Sequence, residues 1–231
     1  MTNTIFILIH GFGGNISEIA PLATFLNEKG YPAICPSLKG HTGLKQDLKK
    51  TTYQDWISSV AEELVKVKPN YQNLILVGFS MGGLIAINLA LQHQVTAVIT
   101  INTPIFYWDF KRIGINLIAD VQTGNFKHIQ RYIHSSVSLP LKALVNFRAI
   151  LNKTKPLIKQ VTCPILVLQG TDDDTVQPVS ANYIYNNVRS NVKQIAFLDN
   201  SGHVMLQSPA AGQAMNRVSQ FVNDLIQQTV L

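Results

Sequence analysis

Residues 74–84 read Leu-Ile-Leu-Val-Gly-Phe-Ser-Met-Gly-Gly-Leu, an apolar run that ends at a serine with a glycine two positions away on each side. A short apolar run without alternation is the pattern of a strand buried on both faces of a parallel sheet. The residues that follow, Met81 to Gln92, place Leu84, Ile87 and Leu91 with Ala86 and Ala90 at three- and four-residue spacing, which predicts a helix. A strand that turns at once into a helix leaves no room for side chains at Gly78 and Gly82, and it strains the backbone of Ser80 so that the hydroxyl stands clear of the turn. Such an elbow presents a nucleophile. A bare match to Gly-x-Ser-x-Gly would be a weak signal, and the strand before it and the helix after it carry the argument.

Strand-like runs recur at Thr4 to Ile9, Ala33 to Cys35, Leu74 to Gly78, Ala97 to Ile101, Ile165 to Gln169 and Lys193 to Phe197. They alternate with helical patterns at Glu18 to Lys29, Asp55 to Lys66, Met81 to Gln92 and Ala211 to Gln227. The last of these carries Met215, Val218, Val222 and Ile226 as its apolar stripe. Alternation of this kind predicts an α/β fold: a mostly parallel sheet flanked by helices on both faces. Asn15 or Ser17 is the expected cap of the first helix and Gly30 its stop. No linker-like or low-complexity segment divides the 231 residues, so the chain reads as one domain, 1–231. The rhythm breaks between about 104 and 160, where helical periodicity continues without a convincing strand. An insertion there falls at the strand ends where ligands bind in a doubly wound sheet, and is expected to form a small helical cap. Ile105, Phe106, Tyr107, Trp108 and Phe110 head it. Of these, Ile105, Phe106 and Trp108 are candidates to line a substrate pocket, although the same residues could equally pack the cap onto the sheet.

The net charge is +6, but the basic residues are spread out. Lys45, Lys49, Lys50, Lys66 and Lys68 are scattered, and Lys153, Lys155 and Lys159 form a loose patch without interleaved aromatics, so no nucleic-acid partner is expected. The longest apolar runs are strand-sized, which argues against membrane insertion. No basic leader or small-residue cleavage site precedes the first strand, and the two cysteines, Cys35 and Cys163, are expected as reduced core thiols; together these point to a cytoplasmic protein. Gly11 to Gly14 lacks the spacing of a nucleotide-binding loop, no histidine spacing suggests a metal site, and no cofactor is expected. Oligomeric state is not legible.

A serine hydroxyl needs a base, and the base needs an acid partner. Both occur downstream, each after a predicted strand: an acidic turn Gly170-Thr171-Asp172-Asp173-Asp174-Thr175-Val176-Gln177-Pro178, and Asp199-Asn200-Ser201-Gly202-His203. Spacing alone leaves Asp172, Asp173 and Asp174 open. Of the six histidines, only His203 follows a late strand in a Ser-Gly-His turn; His10 is its main rival, and His41, His93, His128 and His134 are expected on the surface or in the cap.

The order Ser, Asp, His resembles that of the α/β-hydrolase family, and the resemblance covers nearly the whole chain. Within that family the chain is similar to small bacterial carboxylesterases related to monoacylglycerol lipases. The residues that carry the likeness are His10-Gly11-Phe12-Gly13-Gly14-Asn15, Lys39-Gly40-His41, Gly78-Phe79-Ser80-Met81-Gly82-Gly83, Gly170 to Pro178, and Ser201-Gly202-His203. The family pattern Gly-x-x-Asp-x-x-Val selects Asp173, and the resemblance gives His10 a structural role in the first loop. The expected oxyanion donors are the backbone N–H of Met81, which follows the nucleophile, and by resemblance that of Phe12. The resemblance therefore implies a serine carboxylesterase with a catalytic triad Ser80, Asp173 and His203, acting on a small-molecule ester of short to medium chain. A monoacylglycerol lipase is the alternative within the class, an acyltransferase or perhydrolase would use the same residues, and a non-hydrolytic small-ligand binding protein is the alternative outside it.

Overall fold

Six strands form a single, wholly parallel sheet in the order β2-β1-β3-β4-β5-β6. They are Thr4–Ile9 (β1), Ala33–Ile34 (β2), Asn73–Phe79 (β3), Ala97–Ile101 (β4), Ile165–Gly170 (β5) and Lys193–Leu198 (β6). This computed structural model describes residues 3–107 and 139–229. Among them seven α-helices occur: Ala20–Glu28 (α1), Lys45–Lys50 (α2), Tyr53–Val67 (α3), Met81–Gln92 (α4), Leu141–Leu157 (α5), Val179–Asn187 (α6) and Ala211–Thr229 (α7).

Alternate residues of the central strands feed two separate cores, as the period-2 geometry of a strand requires. Ile5, Ile7, Ile9, Leu74, Leu76, Val98, Ile165 and Val167 face one way and meet Trp56, Val60 and Leu64 of α3, the body of α4, Ile150 and Leu151 of α5, and Ile184 of α6. Phe6, Leu8, Ile75, Val77, Ile99, Leu166 and Leu168 face the other way, onto Leu22 and Leu26 of α1 and Val218, Phe221 and Val222 of α7. The stripe of α7 thus centres on Ala214, Val218, Phe221, Val222 and Leu225, with Met215 and Ile226 only partly buried at its margins. Helix α4 is apolar around nearly its whole circumference, Asn88 excepted, because the sheet lies under it and α3 and α5 lie over it.

The chain enters α1 later than the periodicity predicts. Asn15 caps a 3-10 turn, Ile16–Glu18, through its side chain, and the α-helix begins only at Ala20; Gly30, with φ of 82°, follows its end. Helix α3 begins two residues earlier than expected, because Thr52 and Asp55 form a capping box, each side chain accepting the other's backbone N–H. Helices α2 and α6 were not expected, and β2 pairs over only two residues. Of the expected cap, the described part is residues 104–107 and the chain from 139 through α5; Trp108, Phe110, His128 and His134 lie outside the described residues.

Helix α1, which follows β1, covers one face, and α4, which follows β3, covers the other. A crevice therefore opens between the carboxyl ends of these adjacent strands, the usual ligand position of a doubly wound sheet.

Candidate active site

Ser80 stands between β3 and α4 with φ of 52° and ψ of −123°, a conformation costly for a residue with a side chain. The turn is tight enough to forbid a Cβ at either flanking glycine. One at Gly78 would strike the backbone of Gly82 and Gly83, and one at Gly82 would strike the Ile9 carbonyl oxygen, so α4 seats directly on β1. This seating brings the loop after β1 beside Ser80.

His203 and Asp173 arrive from the loops after β6 and β5. His203 Nε2 lies 3.1 Å from Ser80 Oγ, placed to accept its hydrogen, while His203 Nδ1–H donates to Asp173 Oδ2 at 2.9 Å. The other oxygen of Asp173 accepts the Thr175 and Val176 N–H groups, each at 2.9 Å, and the carboxylate is shielded from solvent. Of the three acidic residues in this turn, Asp173 is the one that bonds His203. The imidazole is only 16% exposed and packs against the ring of Phe79. Burial disfavours the charged ring, but the charge and hydrogen bond of Asp173, with Glu18 and Asp174 beyond, outweigh it and hold His203 above its ordinary pKa.

His10 plays a different part. Its Nδ1–H donates to Gly11 O at 3.0 Å and its Nε2 accepts the Leu38 N–H at 3.4 Å, so both nitrogens are engaged in backbone; burial lowers its pKa and keeps it neutral. His41, expected at the surface or in the cap, is instead wedged among His10, Phe12 and Trp56, and burial, with His10 adding, pulls it down to about 4. His93 is half-buried at the end of α4. Cys35 and Cys163 are free and half-buried, and burial pushes both thiols up to about 11, so neither is a thiolate near neutral pH.

Met81 opens α4, so its N–H is among the donors that the helix ladder leaves unpaired. Phe12 sits in the loop after β1, and its ring stacks on Phe147 of α5 at 5.1 Å and tilts against Trp56 of α3. Tyr107 also meets Phe147, and it bridges to Val176 beside the Asp173 turn. Leu139 lies over Gly13. Of the expected pocket residues, Ile105 is buried in the core, and Phe106 turns toward α6, edge-on to Tyr183 and beneath the Lys155 ammonium.

Three contributors had no clear signal in the sequence. Glu18 accepts the Gly11 N–H at 3.1 Å, and burial raises its carboxyl above the usual range against the opposing pull of that bond and of His203. Phe147 is hidden in a helix of mixed composition, and Asn102 reads as the start of a loop. A groove of about 890 Å³ along β2 and α3, lined by Ile34, Cys35, Lys39, Asp55 and Glu62, contains none of the Ser80, His203 and Asp173 group. No three metal-ligating side chains converge among the described residues.

Ser80, His203 and Asp173 thus form one hydrogen-bonded chain at the carboxyl ends of a parallel sheet. The chain belongs to the α/β-hydrolase family, whose model matches residues 6–214, and to its branch of bacterial monoacylglycerol lipases and carboxylesterases. It is 30% identical over 213 residues to the thermostable monoacylglycerol lipase of Bacillus sp. (strain H-257), covering 86% of this chain and 82% of that one. It is 23% identical over 228 residues to a carboxylesterase of Bacillus subtilis (strain 168), covering 95% and 92% respectively. In fold it is similar to a solved structure of the metagenome-derived lipolytic enzymes LipS and LipT, with a TM-score of 0.80 at 20% identity, over 96% of this chain and 94% of that one.

Proposed function

We propose that this protein hydrolyses carboxylic esters through an acyl-enzyme on Ser80. The observation that carries this reading is the unbroken hydrogen-bonded chain from Ser80 Oγ through His203 to Asp173. In the first step Ser80 Oγ attacks the ester carbonyl while His203 Nε2 takes its proton, and the tetrahedral oxyanion is met by the N–H groups of Met81 and Phe12. The imidazolium, held by Asp173, then returns the proton to the leaving alkoxide as the C–O bond breaks. Water attacks the acyl-Ser80 ester by the same route, with His203 as base, and the acid departs. Each oxyanion donor is worth about 3–4 kcal/mol in barrier height.

The rings of Phe12, Tyr107 and Phe147 supply an apolar wall beside the oxyanion loop, suited to a short or medium acyl chain. The likeness to a monoacylglycerol lipase supports a monoacylglycerol among the substrates. All three catalytic groups are protein side chains, so the step needs no added cofactor.

Ser80→Ala tests the reading. Turnover of p-nitrophenyl esters is expected to fall about a millionfold, and a fluorophosphonate is expected to label the wild type and not the variant. Ester hydrolysis that survives the substitution would disprove the assignment.

A further inference from the structure

Asn102 follows the last residue of β4 with a left-handed φ of 47°, and none of it reaches solvent. Asparagine is one of the few residues with a side chain that tolerates this conformation. From here its side chain reaches two of the three loops that bear the site, and its chain neighbour Ile101 reaches the third. The Ile101 carbonyl, immediately before it, accepts the Ser80 N–H at 2.8 Å. Asn102 Oδ1 accepts the Gly170 N–H at 2.8 Å, where the chain turns to deliver Asp173. Asn102 Nδ2 donates to Gly202 O at 3.1 Å and to His203 O at 2.7 Å. A carboxamide offers an acceptor and two donors in one plane, and each of these is used.

We infer that Asn102 is a positioning residue for acyl transfer: its carboxamide locks the main chain at His203 to the turn that carries Asp173, and so sets where the imidazole meets Ser80 Oγ. The inference rests on the catalytic reading of Ser80, Asp173 and His203. The His203 ring bonds at both ends, to Asp173 and to Ser80, and a shift of its Cα cannot satisfy both. The two loops are also joined by Asp172 N–H to Ser201 O, by the N–H and hydroxyl of Thr171 to Leu198 O, and by the His203–Asp173 bond itself, but the Asn102 carboxamide holds the carbonyls of Gly202 and His203 directly. Displacement of a catalytic group by about 1 Å costs about 100-fold in rate.

The test uses three substitutions. Asn102→Asp keeps the shape but turns an acceptor toward two carbonyl oxygens; Asn102→Gly keeps the left-handed φ without a side chain; Asn102→Ser retains a short polar group. Thr154→Val, which removes a buried hydrogen bond between α4 and α5, is the control for lost stability alone. For folded protein, kcat on p-nitrophenyl butyrate is expected to fall about 100-fold with KM little changed. The deshielded proton resonance of the His203–Asp173 bond is expected to weaken in parallel, whereas Thr154→Val keeps both. Wild-type kcat in a folded variant, or activity that merely tracks the folded fraction, would overturn the inference. Failure of all three variants to fold would assign Asn102 to the fold alone and overturn it equally. Ser80→Ala run alongside separates the two ideas. Activity surviving there sinks the triad; activity lost there but kept in the Asn102 variants sinks only the role of Asn102.

Discussion

His203 is subject to opposing influences, and in the proposed mechanism their balance sets the pH at which it acts. Burial favours the neutral ring, while Asp173, Glu18 and Asp174 favour the imidazolium and prevail. A general base must be neutral to take the serine proton. With His203 as the proposed base and its pKa raised, kcat/KM is expected to hold above that pKa and to be lost as pH falls through it, on an acid limb lying above the ordinary histidine value. Glu18 supplies one of these charges and also holds Gly11, next to the proposed donor Phe12. In Glu18→Gln an amide oxygen can still accept the Gly11 N–H, but the charge is gone. The acid limb is therefore expected to move to lower pH with the plateau nearly unchanged, whereas Glu18→Ala also frees the loop and lowers the plateau. A pH–rate profile of both variants checks this, and an acid limb that stays in place for Glu18→Gln would show that the carboxylate exerts no influence on His203. Neither Glu18 nor Asn102 was legible in the sequence. Glu18 reads there as an ordinary acidic residue opening a helix, and Asn102 as the polar punctuation after a strand.

Most strands were legible as elements, because burial on both faces leaves a continuous apolar run with little else to be. The short helices were not. Lys45–Lys50 buries one residue, Leu48, and Val179–Asn187 mixes tyrosines with asparagines, so neither carries a periodic stripe strong enough to read. Helix α5 was obscured by its lysines and by Pro156 near its end. Its attachment to α4 is polar as well as apolar: Asn88 Nδ2 donates to Thr154 Oγ1 at 2.6 Å, and the Thr154 hydroxyl donates to Ile150 O, all within the core. Thr154→Val keeps the shape and leaves the Asn88 amide one acceptor short. A loss of about 1–3 kcal/mol is expected, measured as a lower denaturant midpoint with an unchanged slope, and kcat is expected to hold because these groups lie apart from Ser80. An unchanged midpoint would mean that the amide finds a replacement acceptor.

At the scale of the whole molecule, the fold class followed from the alternation of elements, but the shape of the site did not, because it is assembled from segments distant in the chain. The sheet order sets β1 beside β3, which brings the Gly11 to Gly14 loop to Ser80. Phe12 of that loop then meets Phe147, which meets Tyr107, which bridges to Val176 beside the Asp173 turn. One aromatic wall thus joins the loop after β1, the segment after β4, the acid turn and α5, and periodicity along the chain says nothing of such a meeting. If this wall bounds the acyl chain as proposed, Phe147 is the link whose removal should lengthen the pocket without touching the proposed reacting groups. It is partly buried, so Phe147→Ala should cost less than the about 3–5 kcal/mol of a fully buried phenylalanine. With p-nitrophenyl esters from acetate to palmitate, the preferred chain is expected to lengthen while kcat on the acetate stays near wild type, since the proposed triad and oxyanion donors are left in place. A length profile identical to that of the wild type would place the acyl chain elsewhere, and a proportional loss at every length would mean that Phe147 supports the Phe12 loop rather than bounding the pocket.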